Sequence, residues 1–367
     1  MKKLLIFIIL AFVLSLTAAA DTAYNDTYET VGGNELQQSL DRNVKDFFDS
    51  NGIDPTDYNW VNKLTEKDVL SHIFDFVTGG IKIPFKTGVT VIGVILITAA
   101  VISFGGAPRS SAANYAAVLA ITAIIAGDIW QSVSGAVNAV KGCSSFMLSF
   151  VPVFASITAL SGKTVTAASM SSLLLFAGEA VSFISSFVIL PLMGGYLALS
   201  ISTGASPLLN GSGIAESVKK ISVWVLSLLG TLFVGILSIQ TAVNSAADSV
   251  ALRTARFILG TSVPVAGTAL SEAASTVSAS IGLLRSSVGI YGVVALAALL
   301  LPVLIELVMW RCVLFLNCAL SELFSLSKIT SILKAVDSML SVLLGVVLLI
   351  GAIFVISLTV VVTAGKA

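Results

Sequence analysis

"MLSVLLGVVLLIGAIFVISLTVVVT", Met339 to Thr363, runs for 25 residues without a charged side chain. A helix crossing the hydrocarbon of a bilayer needs about 20 such residues. Strict alternation of apolar and polar residues is missing here and in the rest of the chain, which argues against a transmembrane barrel. The run therefore predicts a membrane helix. Further apolar segments lie at about 87–104, 113–129, 144–160, 168–190, 191–204, 221–243, 257–271, 287–301 and 302–325. Several are shorter than one crossing, which predicts re-entrant or bent elements among them. The expected fold class is all-α, a polytopic helical membrane protein with eight to ten membrane helices.

Composition agrees with this reading. Apolar residues make up 56% of the chain and charged residues 11%, where a soluble domain keeps about a quarter of its residues charged. The formal net charge is zero, and no basic stripe interleaved with aromatics occurs, so nucleic-acid binding is not expected.

The N-terminus follows a different logic. Lys2 and Lys3 precede the apolar run Leu4 to Leu16, and Ala18-Ala19-Ala20 follow. Charge, short apolar run and small residues predict a cleaved secretory signal peptide over 1–20; the alternative is an uncleaved first anchor. Cleavage leaves the mature N-terminus outside the cytoplasm. Residues 21–86 hold much of the chain's charge and predict an extracytoplasmic helical cap. In "LQQSLDRNVKDFF", Leu36, Leu40, Val44, Phe47 and Phe48 recur at helical spacing. "NGIDPTDYN" (51–59) is rich in turn formers, and Thr65 with Asp68 fits a capping box before "VLSHIFDFV". The cap's aromatics have two possible seats, a partner protein or the chain's own membrane domain, 87–367. His72 is the single histidine and reads as a surface residue.

Lys and Arg in short loops orient the spans. With the N-terminus outside, Arg109 falls in the cytoplasm. If 168–204 is a hairpin broken at Pro191, then Lys163, Lys219, Lys220, Arg285, Lys328 and Lys334 fall there too. Lys141 runs against the trend.

Two stretches resemble each other. "FVPVFASITALSGK" (150–163) and "SVPVAGTALSEAAS" (262–275) share Val-Pro-Val followed by Thr-Ala-Leu-Ser. "AVN" precedes each, at 136–138 and 242–244, and Leu-Pro follows each, at Pro191 and Pro302. Thr158 to Pro191 is 33 residues and Thr268 to Pro302 is 34. Ordered matches at near-equal spacing predict a parallel internal repeat, 113–204 and 221–326, with Pro152, Pro191, Pro264 and Pro302 as candidate helix breaks. Parallel repeats occur in transporters, with sites between the halves.

The polar residues within this body are the candidate sites. Arg253 and Arg256 lie three apart and share a helix face, with Asp248 about one turn away. They read either as a solvated helix or as a basic face for docking a partner. Glu179 in "LLLFAGEAVSF" and Glu306 in "PVLIELVMW" are acids inside apolar runs, a costly placement that is often functional. The alternatives are a structural Glu306–Arg311 pair or an interfacial position for either acid.

Other chemistry is thin. "SGKT" at 161–164 resembles the tail of a P-loop, but that motif needs Gly where Ile157 stands. No ATPase is expected in this chain, and the lone histidine lies in the cap, away from any Ser-Asp partnership. Cys143, Cys312 and Cys318 lack metal-ligand spacing. No catalytic residue, metal or cofactor is expected.

"AVNSAADSVALRTARFILGTSVPVAGTALSEAASTVSASIGLL" (242–284) with the terminal "FVISLTVVVTAGK" (354–366) closely resembles the stage III sporulation protein AE family of endospore formers. The resemblance implies a membrane component of the channel complex that joins mother cell and forespore after engulfment and supports forespore development. It further implies partners from the same operon, namely a companion ATPase on the cytoplasmic side and extracytoplasmic ring-forming proteins, in the mother-cell membrane around the forespore. The second functional class is a secondary transporter or permease. The parallel repeat, the Leu-Pro breaks and Glu179 favour it, whereas the cap and the resemblance favour the channel subunit.

Overall fold

Backbone N–H and C=O groups find no water in a bilayer, so an apolar run must satisfy them within itself. The computed structural model describes residues 27–40, 42–54, 60, 66–205, 212–262 and 267–363, and among these no strand forms. The expected signal peptide and Pro264 lie outside the described residues, as do the side chains of His72 and Arg256. The elements are α1 (Gly33–Gln38), α2 (Arg42–Ser50), α3 (Glu66–Leu160), α4 (Thr164–Ile184), a π turn (Ser185–Ile189), α5 (Leu190–Ala205), α6 (Ser212–Ser262), α7 (Gly267–Leu323) and α8 (Ser327–Thr363). Hydroxyls inside the apolar helices bond back to the preceding turn, as Thr98 does to the Val94 carbonyl and Ser357 to that of Ile353.

Among the described residues, six helical stretches are long and apolar enough to cross a membrane: Thr78–Phe104, Ala112–Leu160, Thr164–Tyr196, Glu216–Ala251, Ile281–Leu323 and Ser327–Thr359. The all-α membrane class holds; the count of eight to ten is not confirmed. Apolar segments that read as separate merge into single helices. Pro152 and Pro302 lie inside α3 and α7 and break neither. Pro191 is the second residue of α5, directly after the π turn. A π turn changes the hydrogen-bond register locally, which accommodates the missing N–H of a proline while the helix continues. Helix α3 runs unbroken from Glu66 across position 86/87 into the first span.

Helix α3 doubles back. Thr87 Oγ1 donates to Asp128 Oδ2, although on a straight helix those residues would be about 60 Å apart. The reversal therefore lies between Thr87 and Asp128. Small residues then set the packing. Gly142 faces Leu299 and Gly292 faces Phe150, so the second limb of α3 runs antiparallel to α7. Gly80 abuts Ile305 and Gly88 abuts Val313, so the first limb runs parallel to it. Helix α8 is antiparallel to α7 through Arg311–Asp337 and Leu300–Gly351, and parallel to α6 through Leu226–Gly345 and Gly230–Leu349. Leu358 lines one small cavity with Met170 and Leu174, and Phe354 meets Gly178, which sets α4 antiparallel to α8. Helix α8, which carries the uncharged run read first above, touches α3, α4, α5, α6 and α7 and is the centre of the bundle.

The limbs alternate up and down. The segments 113–204 and 221–326 therefore run in the same sense, as a parallel repeat requires, although simple alternation imposes that sense on any such pair.

Alternation also defines two ends. The cap end gathers residues 27–40, 42–54 and 60, the α3–α4 turn, Asp248 and Arg285. The hairpin end holds the α3 reversal and the α7–α8 turn, where Lys328 Nζ lies 3.8 Å from the centre of the Tyr115 ring. Lys163 and Arg285 thus lie at the end opposite Arg109, not beside it as expected. The reason is that 164–205 continues through the π turn in one direction rather than folding into a hairpin at Pro191.

The cap's aromatics sit on the chain's own body. Trp60 Nε1 donates to Ser287 Oγ at 3.0 Å. The rings of Phe48 and Trp60 meet Tyr291 edge-on at 4.8 and 6.4 Å between centroids. Leu36, Leu40, Val44 and Phe48 are buried, as their spacing predicted, but Ser39 ends α1 and the stripe continues on α2.

Candidate functional site

At the cap end, the start of α4 leaves backbone N–H groups that need an acceptor. Gly162, at φ 83°, makes the turn, and Asp248 of α6 supplies the acceptor. Its Oδ1 accepts from the Val165 N–H at 3.0 Å, and its Oδ2 accepts from the Thr166 N–H at 3.2 Å and from the Thr166 hydroxyl. A carboxylate there also meets the positive end of the helix dipole. Asp248 and Arg285 are each only 3% exposed. Lys163 completes the group. Its ammonium is held below the usual lysine range by burial first and by repulsion from Arg285 second, against the pull of Asp248.

The structure therefore separates the residues read as one docking face. Asp248 is buried and bonded to α4, because its carboxylate satisfies a helix start 82 residues away in sequence. Arg253 is exposed further along α6.

A second polar level crosses the bundle nearer the hairpin end. Ser132 Oγ donates to Glu306 Oε1 and accepts from Trp310 Nε1 at 2.8 Å. One turn earlier on α3, Asp128 accepts from Thr87. Arg311 does not pair with Glu306. Its Nε donates to Asp337 Oδ1 of α8 at 2.9 Å, because residues five apart on one helix point in different directions while Asp337 faces Arg311 across the α7–α8 contact. Lys219 Nζ donates to Ser338 Oγ at 3.0 Å. Glu179 is exposed on the outer face of α4 and joins neither level. From Arg285 to Glu306 there are 21 residue steps along α7, about 32 Å of helix. Between the two levels, α6 turns Leu228, Leu232, Ile236, Ile239 and Val243 outward.

Sequence reasoning found Glu306 and Arg311 and missed Asp128, Ser132, Trp310 and Asp337. The signal was available for two of them, since Asp128 in "AGDIW" and Asp337 in "KAVDSML" are also acids inside apolar runs. Ser132 and Trp310 carry no such signal, because both residue types are common in membrane helices.

Cys143 and Cys318 are buried, Cys312 is exposed, and all three are free thiols. Among the described residues, no group of three or more His, Cys, Asp or Glu is placed to hold a metal ion.

The family model described as stage III sporulation protein AE matches residues 45–365. The stage III sporulation protein AE of Bacillus subtilis (strain 168) is 28% identical over 183 residues, which cover 50% of this chain and 46% of that protein. The match thus spans just under half the length of that curated relative. No solved structure matches the chain.

Proposed function

This chain belongs to the stage III sporulation protein AE family, and from that premise we propose that it serves stage III of endospore formation as a non-enzymatic membrane subunit of the channel joining mother cell and forespore. The carrying observation is the extent of the match, 45–365, which takes in part of the cap and all six candidate spans. We place the protein in the mother-cell membrane around the forespore, with the cap end extracytoplasmic. Arg109, Lys219, Lys220, Lys328 and Lys334 then lie toward the hairpin end, in agreement with the excess of basic residues on cytoplasmic sides. In this reading Lys163 and Arg285, which lie at the cap end, are offset in part by Asp248. A companion ATPase meets the hairpin end and ring-forming proteins meet the cap end.

The permease reading keeps one observation in its favour. Glu306 and Asp128 are hydrogen-bonded acids within the bundle, where transporters often carry coupling groups. Glu179, exposed on α4, no longer supports it.

Arg253 and Arg256 remain the candidate docking pair on α6. Guanidinium groups bind carboxylates in bidentate fashion, so an extracytoplasmic partner with an acidic face suits them. In a spore-forming host that lacks its own copy, the wild-type chain should restore development past engulfment. The Arg253→Ala/Arg256→Ala variant should reach the same membrane level, recover less ring protein in pull-downs and arrest after engulfment. Normal spore yield with normal copurification would remove the docking role. Failure of the wild-type chain itself would remove the sporulation reading.

A further inference from the structure

The inner stripe of α6 changes character along its length. Leu226, Phe233 and Leu237 are buried toward the hairpin end. At the same helical spacing, Gln240, Asn244 and Asp248 continue the stripe to the cap end. Asp248 holds the start of α4. Gln240 Oε1 and Asn244 Nδ2 are buried without a hydrogen-bond partner, and Asn244 as a whole is only 4% exposed. Unpartnered polar atoms are costly inside a bundle, and contact with water would relieve both.

The two halves of α6 are also held differently. Toward the hairpin end, Leu226 and Gly230 pack on Gly345 and Leu349 of α8, and Lys219 bonds Ser338. Toward the cap end, the polar tie is the set of Asp248 bonds to α4. Gly235 lies between the halves on the exposed side, where an added Cβ would meet nothing within 4 Å. Packing therefore does not require a glycine there. A glycine inside a helix makes that helix easier to bend, and an outward bend crowds the outer face, where this residue has no side chain.

We propose that α6 is a gate helix whose cap-end half swings outward about Gly235. The swing opens a water-filled cleft from the cap end, lined by Gln240 and Asn244 and closed below by Leu237 and Phe233. Asp248 is the latch. Its bonds to α4 hold the closed form, and hydration of the two amides offsets their loss in the open form.

The full chain in lipid nanodiscs tests this, because both faces are open to reagent and the result does not depend on which side the cap faces. Single cysteines replace Asn244 or Phe233 in a Cys312→Ser background, Cys143 and Cys318 being buried. A small cationic methanethiosulfonate should modify Asn244→Cys and leave Phe233→Cys intact. Adding Asp248→Asn should raise the rate at Asn244→Cys about tenfold, as expected for weakening bonds to a charged acceptor. Adding Gly235→Ala should lower it about fourfold, the helix preference of Ala over Gly. Gly235→Ala changes an exposed position without a clash, which keeps the test decisive if Asp248→Asn does not fold. Equal rates at Asn244→Cys and Phe233→Cys, a parallel rise at both in Asp248→Asn, or an unchanged rate in Gly235→Ala would each overturn the proposal.

Discussion

Asp248→Ala should be the most damaging single substitution in the bundle that leaves every apolar contact of the core in place. It removes the acceptor for two backbone N–H groups and a hydroxyl at the start of α4. It also removes the carboxylate beside buried Arg285 and partly buried Lys163. Truncating one partner of a buried charged group costs about 3–5 kcal/mol, a large share of the 5–15 kcal/mol that holds an ordinary domain folded. The expected result is loss of the monodisperse peak when detergent extracts are heated to a temperature the wild type survives. Asp248→Asn keeps one acceptor oxygen and should fall between the two. Wild-type heat resistance in Asp248→Ala would mean that the α4 start is satisfied by another group.

The second large effect lies on the contact between α3 and α7. A Cβ built on Gly292 would sit 2.5 Å from the Phe150 ring. That ring cannot turn aside freely, because it stands between Phe146 and Phe154 with centroids 5.4 Å from each. Gly292→Val should therefore destabilise by about 1–3 kcal/mol through overpacking, and Phe150→Ala by about 3–5 kcal/mol through the cavity it leaves. The two residues share one space, so the effects should not add. Gly292→Val/Phe150→Ala should melt no lower than Phe150→Ala alone, because the valine enters the vacated volume. Simple additivity in a thermal series would show that the two side chains do not meet.

These two sites differ in how far the sequence discloses them. The helical class follows from runs such as 339–363, whose apolar length leaves little choice. Small residues often sit between membrane helices, yet nothing in "VGIYGVV" says that Gly292 lies beneath a phenylalanine 142 positions earlier. Asp248 is harder still. Its nearest basic neighbours in sequence are Arg253 and Arg256, which directs attention along α6, while its actual partners belong to the start of another helix. The prolines expected as helix breaks are a related case. A local rule says that Pro152 and Pro302 end helices in water, but in a bundle neighbouring helices and hydroxyls support the freed backbone groups. Pairing across the bundle, not local propensity, decided each of these positions. The cap is an intermediate case: its apolar stripe was legible, whereas the choice of the chain's own Ser287 and Tyr291 as its seat was not.

The six limbs gather into two ends, with the α3–α4 turn beside the cap and the α7–α8 turn opposite. Single cysteines at Ser50, Thr164 and Ser327, all exposed positions, in a Cys312→Ser background report it directly. Right-side-out membrane vesicles are treated with a membrane-impermeant maleimide before and after permeabilisation. Ser50→Cys and Thr164→Cys should label at once, and Ser327→Cys only after permeabilisation. Labelling of Thr164→Cys and Ser327→Cys from the same side would contradict the arrangement, and with it the pairing of Asp248 with the start of α4.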